Sequence, residues 1–148
     1  MSVDKRFLIA ALAIVAGCSN ATEGKVGSSD FDVNRQRWAD QKLSRYEFTY
    51  DRLCFCVPTG PLRVSVRDGV VVGVTVISTG ASLDTRGFFT VDSLFGLIEH
   101  GIANHYAQTR VTYDPARGYP VEIYLDGSTQ IADDEVTYTV KDLVKTGN

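Results

Sequence analysis

This chain has little of what would let it span a bilayer, read nucleic acid or declare a metal site by motif. Its 148 residues include one tryptophan, two histidines, three cysteines and four prolines. The longest apolar run, Phe7 to Gly17, is about half of the roughly 20 residues a spanning helix needs. Lys and Arg number 15 against 18 Asp and Glu, and no block is basic, so nucleic acid is not an expected partner. His100 and His105 are five apart, about 140° around a helix, and do not share a face as a metal-binding i, i+4 pair would. Ser28, Ser29, Ser78 and Ser82 sit in no nucleophile-elbow pattern, and no glycine loop is built to cradle phosphate. The expectation is a protein that is not an enzyme and carries no cofactor. A charged fraction of 22% and an aromatic fraction of 10% are those of a folded chain.

The most informative stretch is Val15-Ala16-Gly17-Cys18. Lys5-Arg6, a short apolar run and small residues at a cut site make an export signal. With Cys placed directly after the small residues, the stretch resembles the lipobox of bacterial lipoproteins. That resemblance implies cleavage after residue 17, lipid on Cys18, and attachment to the cell envelope. Two or more acyl chains anchor lastingly where one does not, because each buried methylene contributes about 0.8 kcal/mol. Ser19 resembles the default sorting residue for the outer membrane, on its periplasmic face, of a Gram-negative host. The other reading is an ordinary cleaved secretory signal. Residues 18–29 then hold the lipidated Cys and a small, polar, aperiodic tether, with a reach of a few tens of Å at most. A single globular domain is expected over residues 30–148.

Asp30 to Leu43 reads as a helix with Phe31 and Trp38 on one narrow apolar stripe, capped by Ser29 or Asp30. Tyr46, Phe48, Tyr50, Cys54 and Cys56 share one parity of a strand, opposite Glu47, Thr49 and Asp51. Leu53 and Phe55 break the polar parity, which points to a bulge or to burial on both faces. Leu62, Val64 and Val66 alternate with Arg63, Ser65 and Arg67, and Asp68-Gly69 signals a tight hairpin. The valines of Val70 to Ile77 suggest a central, well-covered third strand. Gly80 to Phe89 reads as a loop, and Val91 to Tyr106 as a second helix capped by Thr90. Gly96 and Gly101 inside that helix suggest close packing against them. Strands follow at Thr109 to Asp114, Val121 to Leu125 and Val136 to Lys141, separated by the turn residues Asp114-Pro115 to Gly118 and Asp126-Gly127-Ser128.

The expected fold is therefore α+β. It is a two-layer sandwich with an antiparallel sheet of about six strands and two helices on one face, in the order α-βββ-α-βββ. That order hints at an internal structural repeat.

Taken together, Trp38, Tyr46 to Tyr50, Cys54-Phe55-Cys56, Val66-Arg67-Asp68-Gly69, Tyr113-Asp114-Pro115, Gly118-Tyr119-Pro120 and Asp133-Asp134-Glu135 form a recognisable set. Over roughly residues 35–143 the chain resembles a family of small bacterial lipoproteins classed as a domain of unknown function. Val57 follows Cys56 where that pattern leads one to expect Pro, which here comes at Pro58. The resemblance implies no activity and carries over no functional residues.

Three chemical readings remain open. If lipid consumes Cys18, Cys54 and Cys56 are an even pair in an oxidising compartment. They suit a structural disulfide, free thiols, or a redox pair. In an extended strand their spacing lies near the upper Cα limit for a bridge, about 6.8 Å, so a bridge needs a local bend. Asp126, Asp133, Asp134 and Glu135, with Asp114 if the fold brings it close, offer oxygens of the kind calcium takes, without a calcium-loop pattern. His100 and His105 with the two cysteines make a soft-metal alternative. The reading that organises all of this is a lipid-anchored binding or accessory module. Its expected partners are the membrane, through Cys18, and an envelope protein or ligand. The alternatives are a thiol-redox accessory protein and a calcium-binding module.

Overall fold

The computed structural model describes residues 28–147. The lipobox-like stretch, Cys18 and the tether as far as Gly27 lie outside the described residues. Ser28 and Ser29, expected to end the tether, instead open helix α1, Ser28–Ala39. Asp30 therefore stands in the first turn rather than at the cap, where its charge suits the positive end of the helix dipole. The helix stops before Leu43 because Lys42 takes a positive φ of 49°.

The strands are β1 (Arg45–Cys54), β2 (Leu62–Arg67), β3 (Val70–Val76), β4 (Ser82–Leu83), β5 (Gln108–Tyr113), β6 (Pro120–Asp126) and β7 (Val136–Lys145). Helix α2, Val91–Ala103, lies between β4 and β5. One antiparallel sheet holds all seven in the order β4-β3-β2-β1-β7-β6-β5. The class is α+β as expected, with one strand more than six. Ser82 and Leu83, inside the expected loop, pair with Thr75 and Val74 and add an edge strand. The element order becomes α-ββββ-α-βββ.

Two further expectations change. β3 is next to the edge, not central, and Val70 and Val72 are half or more exposed. The two halves are not repeats either. The first strand after α1 lies at the centre of the sheet, and the first strand after α2 lies at its edge. The centre belongs to the two ten-residue strands, β1 and β7, whose length gives the longest ladder.

Tyr46 shows why the helices share a face. Its ring meets Trp38 of α1 edge-on at 5.3 Å. Its hydroxyl accepts the backbone N–H of Val91 at 3.1 Å, at the first turn of α2. Phe48 and Tyr50 follow on the same face, with Leu62, Val64 and Val66 beside them on β2, all buried. From α2, Val91, Leu94, Phe95 and Ile98 close the core. Phe31 reaches Phe95 at 5.9 Å, and Trp38 reaches Tyr119 at 6.2 Å.

The first four N–H groups of a helix have no partner inside it. In α2 the Val91 N–H goes to Tyr46, and the Ser93 N–H goes to Thr90 Oγ1 at 3.1 Å, confirming Thr90 as the cap. At the other end Asn104 caps the helix, so it stops three residues short of Tyr106. Gly101 is there for space. A Cβ would lie 2.9 Å from Thr109 Oγ1, whereas Gly96 has nothing within 4 Å. Tyr46→Phe keeps the ring packing but leaves the buried Val91 N–H without its acceptor. It should cost about 1–2 kcal/mol, read as a lower urea midpoint at constant slope.

Candidate functional site

The helices cover one face of the sheet. Side chains of the other parity, among them Glu47, Thr49, Arg63, Ser65, Thr139 and Lys141, point to a face that no helix among the described residues covers. Chemistry-bearing residues gather at the two ends of this half-covered sheet.

At one end β1 runs out into the cysteine tip. Cys54 and Cys56 form a disulfide with their Cα atoms 5.2 Å apart. The bend that the bridge needs is a three-residue turn, in which the Cys56 N–H donates to the Cys54 carbonyl at 2.8 Å. That turn lifts the tip out of the sheet. Leu53, Phe55 and Val57 are 75, 83 and 85% exposed, so neither a covered bulge nor burial on both faces occurs. Cys56, expected on the buried parity, is exposed as well. A loop of three residues restrains the unfolded chain little, by about 1.6 kcal/mol on the chain-entropy relation. Reduction should therefore lower the melting temperature by only a few degrees and leave the circular dichroism of the fold intact. Loss of the fold on reduction would mean that the tip holds more of the structure than its contacts indicate.

Cys54 pairs with Val136, so the tip stands beside the start of β7, where the acidic loop ends. The four acids of that loop do not converge. Asp126 is 5% exposed, with one oxygen 3.5 Å from Gln108 Nε2 and the other unpaired. Asp134 lies over Gly127, where a Cβ would come within 3.0 Å of Oδ2. Asp133 and Glu135 are exposed. Asp114 does not join them, because β5 separates it from Asp126 and its Oδ1 is taken by the N–H groups of Ala116 and Arg117 at 3.0 and 2.7 Å. His100 and His105 are exposed, and the cysteines are spent on each other. Among the described residues no three His, Cys, Asp or Glu side chains come together to hold a metal.

The other end was not foreseen as a site. The hairpin Val66-Arg67-Asp68-Gly69-Val70 separates two open clefts. Asp68 and Gly69 both take positive φ, 49° and 78°, as a two-residue type I′ turn requires. On the helix side a cleft of about 370 Å³ is walled by Trp38, Lys42, Ser44, Asp68 and Asp92. Trp38 Nε1 donates to Asp92 Oδ1 at 3.2 Å, which fixes that carboxylate at the start of α2. On the uncovered side a cleft of about 230 Å³ is walled by Arg45, Glu47, Ser65, Arg67, Val72 and Thr146.

Two register breaks shape the second cleft. β3 carries one extra residue, Val72, opposite the step from Ser65 to Val66. β7 carries extra chain opposite the step from Glu47 to Thr49, with Asp142 at φ 51° accepting a hydrogen bond from Thr49 Oγ1 at 3.1 Å. Bulges bend a strand and re-aim its side chains. Here one lies on each side of the same β1–β2 pair, Glu47 opposite Ser65. Sequence alternation did not show this, because a bulge depends on the partner strand. The Arg63-Ser65-Arg67 spacing was the available clue.

Fold and clefts together define a small α+β domain with one face of its sheet packed and the other presented. Residues 30–145 match the family of unknown function DUF6174, and the chain belongs to that family. No curated protein and no solved structure matches it. No helix among the described residues is long and apolar enough to cross a membrane.

Proposed function

We propose that this protein is a lipid-anchored, non-enzymatic binding module of the cell envelope. In this reading residues 1–17 are removed, Cys18 carries the lipid, residues 19–27 act as the tether, and the domain presents its sheet to an envelope partner or ligand. The lipobox-like stretch supports the anchor. The observation that carries the binding role is the one-sided sandwich, in which no helix among the described residues covers a face holding Arg45, Arg63, Arg67 and Lys141, while the buried core side chains lie on the other. The test is intact mass of the mature chain from membranes, followed by crosslinking from a photoreactive residue at Thr49. A diacylated or triacylated Cys18 and a reproducible crosslinked species are expected. An unlipidated chain would overturn the anchor, and the absence of any crosslink above a Phe48-labelled control would overturn the binding face.

Exposure of the disulfide favours a second reading, thiol-redox accessory chemistry at Cys54 and Cys56. The reduction potential of the pair separates the two. A structural bridge lies below about −300 mV, and a working redox pair lies well above it.

A further inference from the structure

We propose that the cleft between Arg45 and Arg67 binds the phosphate ester of a polyol, the phosphate on the two guanidinium groups and a neighbouring hydroxyl on Glu47. This rests on the reading of the uncovered face as a binding surface and is independent of the lipid on Cys18.

Arg45 and Arg67 are direct cross-strand partners in the β1–β2 ladder. Like charges directly opposite each other destabilise a strand pair. The Glu47 carboxylate lines the same cleft, yet among the described residues the only ion pairs are Arg35–Glu99 and Arg86–Asp84, so neither arginine is paired. Both arginines are exposed and line one cleft. Two arginines lining one cleft suit a tetrahedral oxyanion, which has oxygens enough for more than one guanidinium. A lone planar carboxylate needs only one.

The remaining walls narrow the ligand further. Glu47 lies two residues from Arg45 on the same face, and Ser65 Oγ donates to its Oε1 at 2.8 Å. Its second oxygen has no such partner and is an acceptor beside the arginines. Its charge offsets part of the attraction of the two arginines for an anion, and its free oxygen rewards a ligand that carries a hydroxyl beside the phosphate. Thr146 adds a further hydroxyl, and Val72, half exposed, adds an apolar wall. A register break flanks this pair on each side, at Glu47/Thr49 against β7 and at Ser65/Val66 against β3, and bulges increase local twist.

Such an ester has two sources, a soluble polyol phosphate or the headgroup of a phospholipid. The test is calorimetric titration of the full chain in neutral-detergent micelles with three probes: inorganic phosphate, glycerol 3-phosphate, and dihexanoylphosphatidylglycerol below its micelle concentration. Saturable binding of one or both glycerol esters, tighter than inorganic phosphate, is expected. Binding of the lipid probe above glycerol 3-phosphate assigns the headgroup, and the reverse assigns the soluble ester. Arg45→Gln and Arg67→Gln should each weaken binding at least ten-fold, while Arg35→Gln, on α1, should leave it unchanged. Glu47→Met, which keeps the side-chain length and removes the acceptor oxygens, should abolish the preference for the glycerol esters over inorganic phosphate. Unchanged thermal melting in each variant shows that the fold is intact. No saturable binding of any probe, or binding indifferent to both cleft arginines, would overturn the proposal. A preference that survives Glu47→Met would overturn its polyol half. None of these outcomes bears on the mass of Cys18 or on crosslinking from Thr49, so failure here and failure of the binding-module reading are told apart.

Discussion

Gly118→Ala should lower stability by about 4 kcal/mol, whereas Gly69→Ala should lower it by only about 1–2 kcal/mol. Both glycines hold left-handed backbone, with φ of 80° and 78°, which costs a residue bearing a Cβ about 1–3 kcal/mol. They differ in what surrounds them. At Gly69 a Cβ meets nothing within 4 Å. At Gly118 it would sit 2.5 Å from the carbonyl oxygen of Asn34, 2.9 Å from Arg37 Cβ and 3.2 Å from the Trp38 nitrogen. The closest of these is helix backbone and cannot swing aside, so α1 must lift from the turn, adding an overpacking cost of about 1–3 kcal/mol. The turn is in turn tied down. Asp114 accepts three of its backbone N–H groups, and Arg117 donates to the Leu143 carbonyl at 2.8 Å on β7. Urea unfolding of the two variants should show midpoints displaced in that order at a common slope. Equal displacement would mean that α1 does not press on the turn.

That contact also marks where sequence reading stopped. The turn itself was legible, since Asp, Pro and Gly each fit its backbone for a local reason. Nothing local announced that α1 lies on it. The same division holds for the sheet. Tyr46-Phe48-Tyr50 and Leu62-Val64-Val66 gave their strands and their buried face through period-two alternation, and Asp68-Gly69 gave the hairpin. The position of β7 between β1 and β6 is a pairing over a long sequence separation and has no local signature. β4 makes only two pairs, too short to show any period. The valines of β3 were misread as a mark of a central strand, because β-branched residues fit a half-covered strand as well as a covered one. At the candidate site, compartment and parity of count singled out Cys54 and Cys56 but left a bridge, free thiols and a redox pair open, and the Cα spacing of 5.2 Å set by the turn is what decides for the bridge. The Arg45–Arg67 cleft depends on register and on two bulges, which are properties of strand pairs rather than of segments.

Alkaline pH should unfold this protein in one cooperative transition above about pH 10, where the unfolded tyrosines titrate. Burial disfavours the phenolate. It pushes Tyr46 up to about 12, and pushes Tyr50, Tyr113, Tyr119 and Tyr138 up from the ordinary tyrosine range as well. In the unfolded chain all five titrate near 10. The folded form therefore holds protons that the unfolded form has released, and stability falls as pH rises above about 10. It is fully present below that value and is lost progressively as each folded tyrosine is reached. Tyr46 alone contributes on the order of 3 kcal/mol between pH 10 and 12, at about 1.4 kcal/mol per unit. Tyr50, Tyr113, Tyr119 and Tyr138 add to this loss in the same direction, against a total stability of about 5–15 kcal/mol for a domain of this size. Phenolate absorbance and far-ultraviolet circular dichroism should therefore change together. Tyr113→Phe supplies the internal check. Its hydroxyl is buried with no hydrogen-bond partner among the described residues, so its removal should be neutral or stabilising near pH 7. The variant also has one titrating group fewer, which should move the alkaline midpoint upward by a few tenths of a unit. If all seven phenolate signals instead appeared near pH 10 while the dichroism stayed native, the tyrosines would be reaching water inside the folded state. The packing of Tyr46 and Tyr50 between β1 and the helices would then be looser than their burial requires.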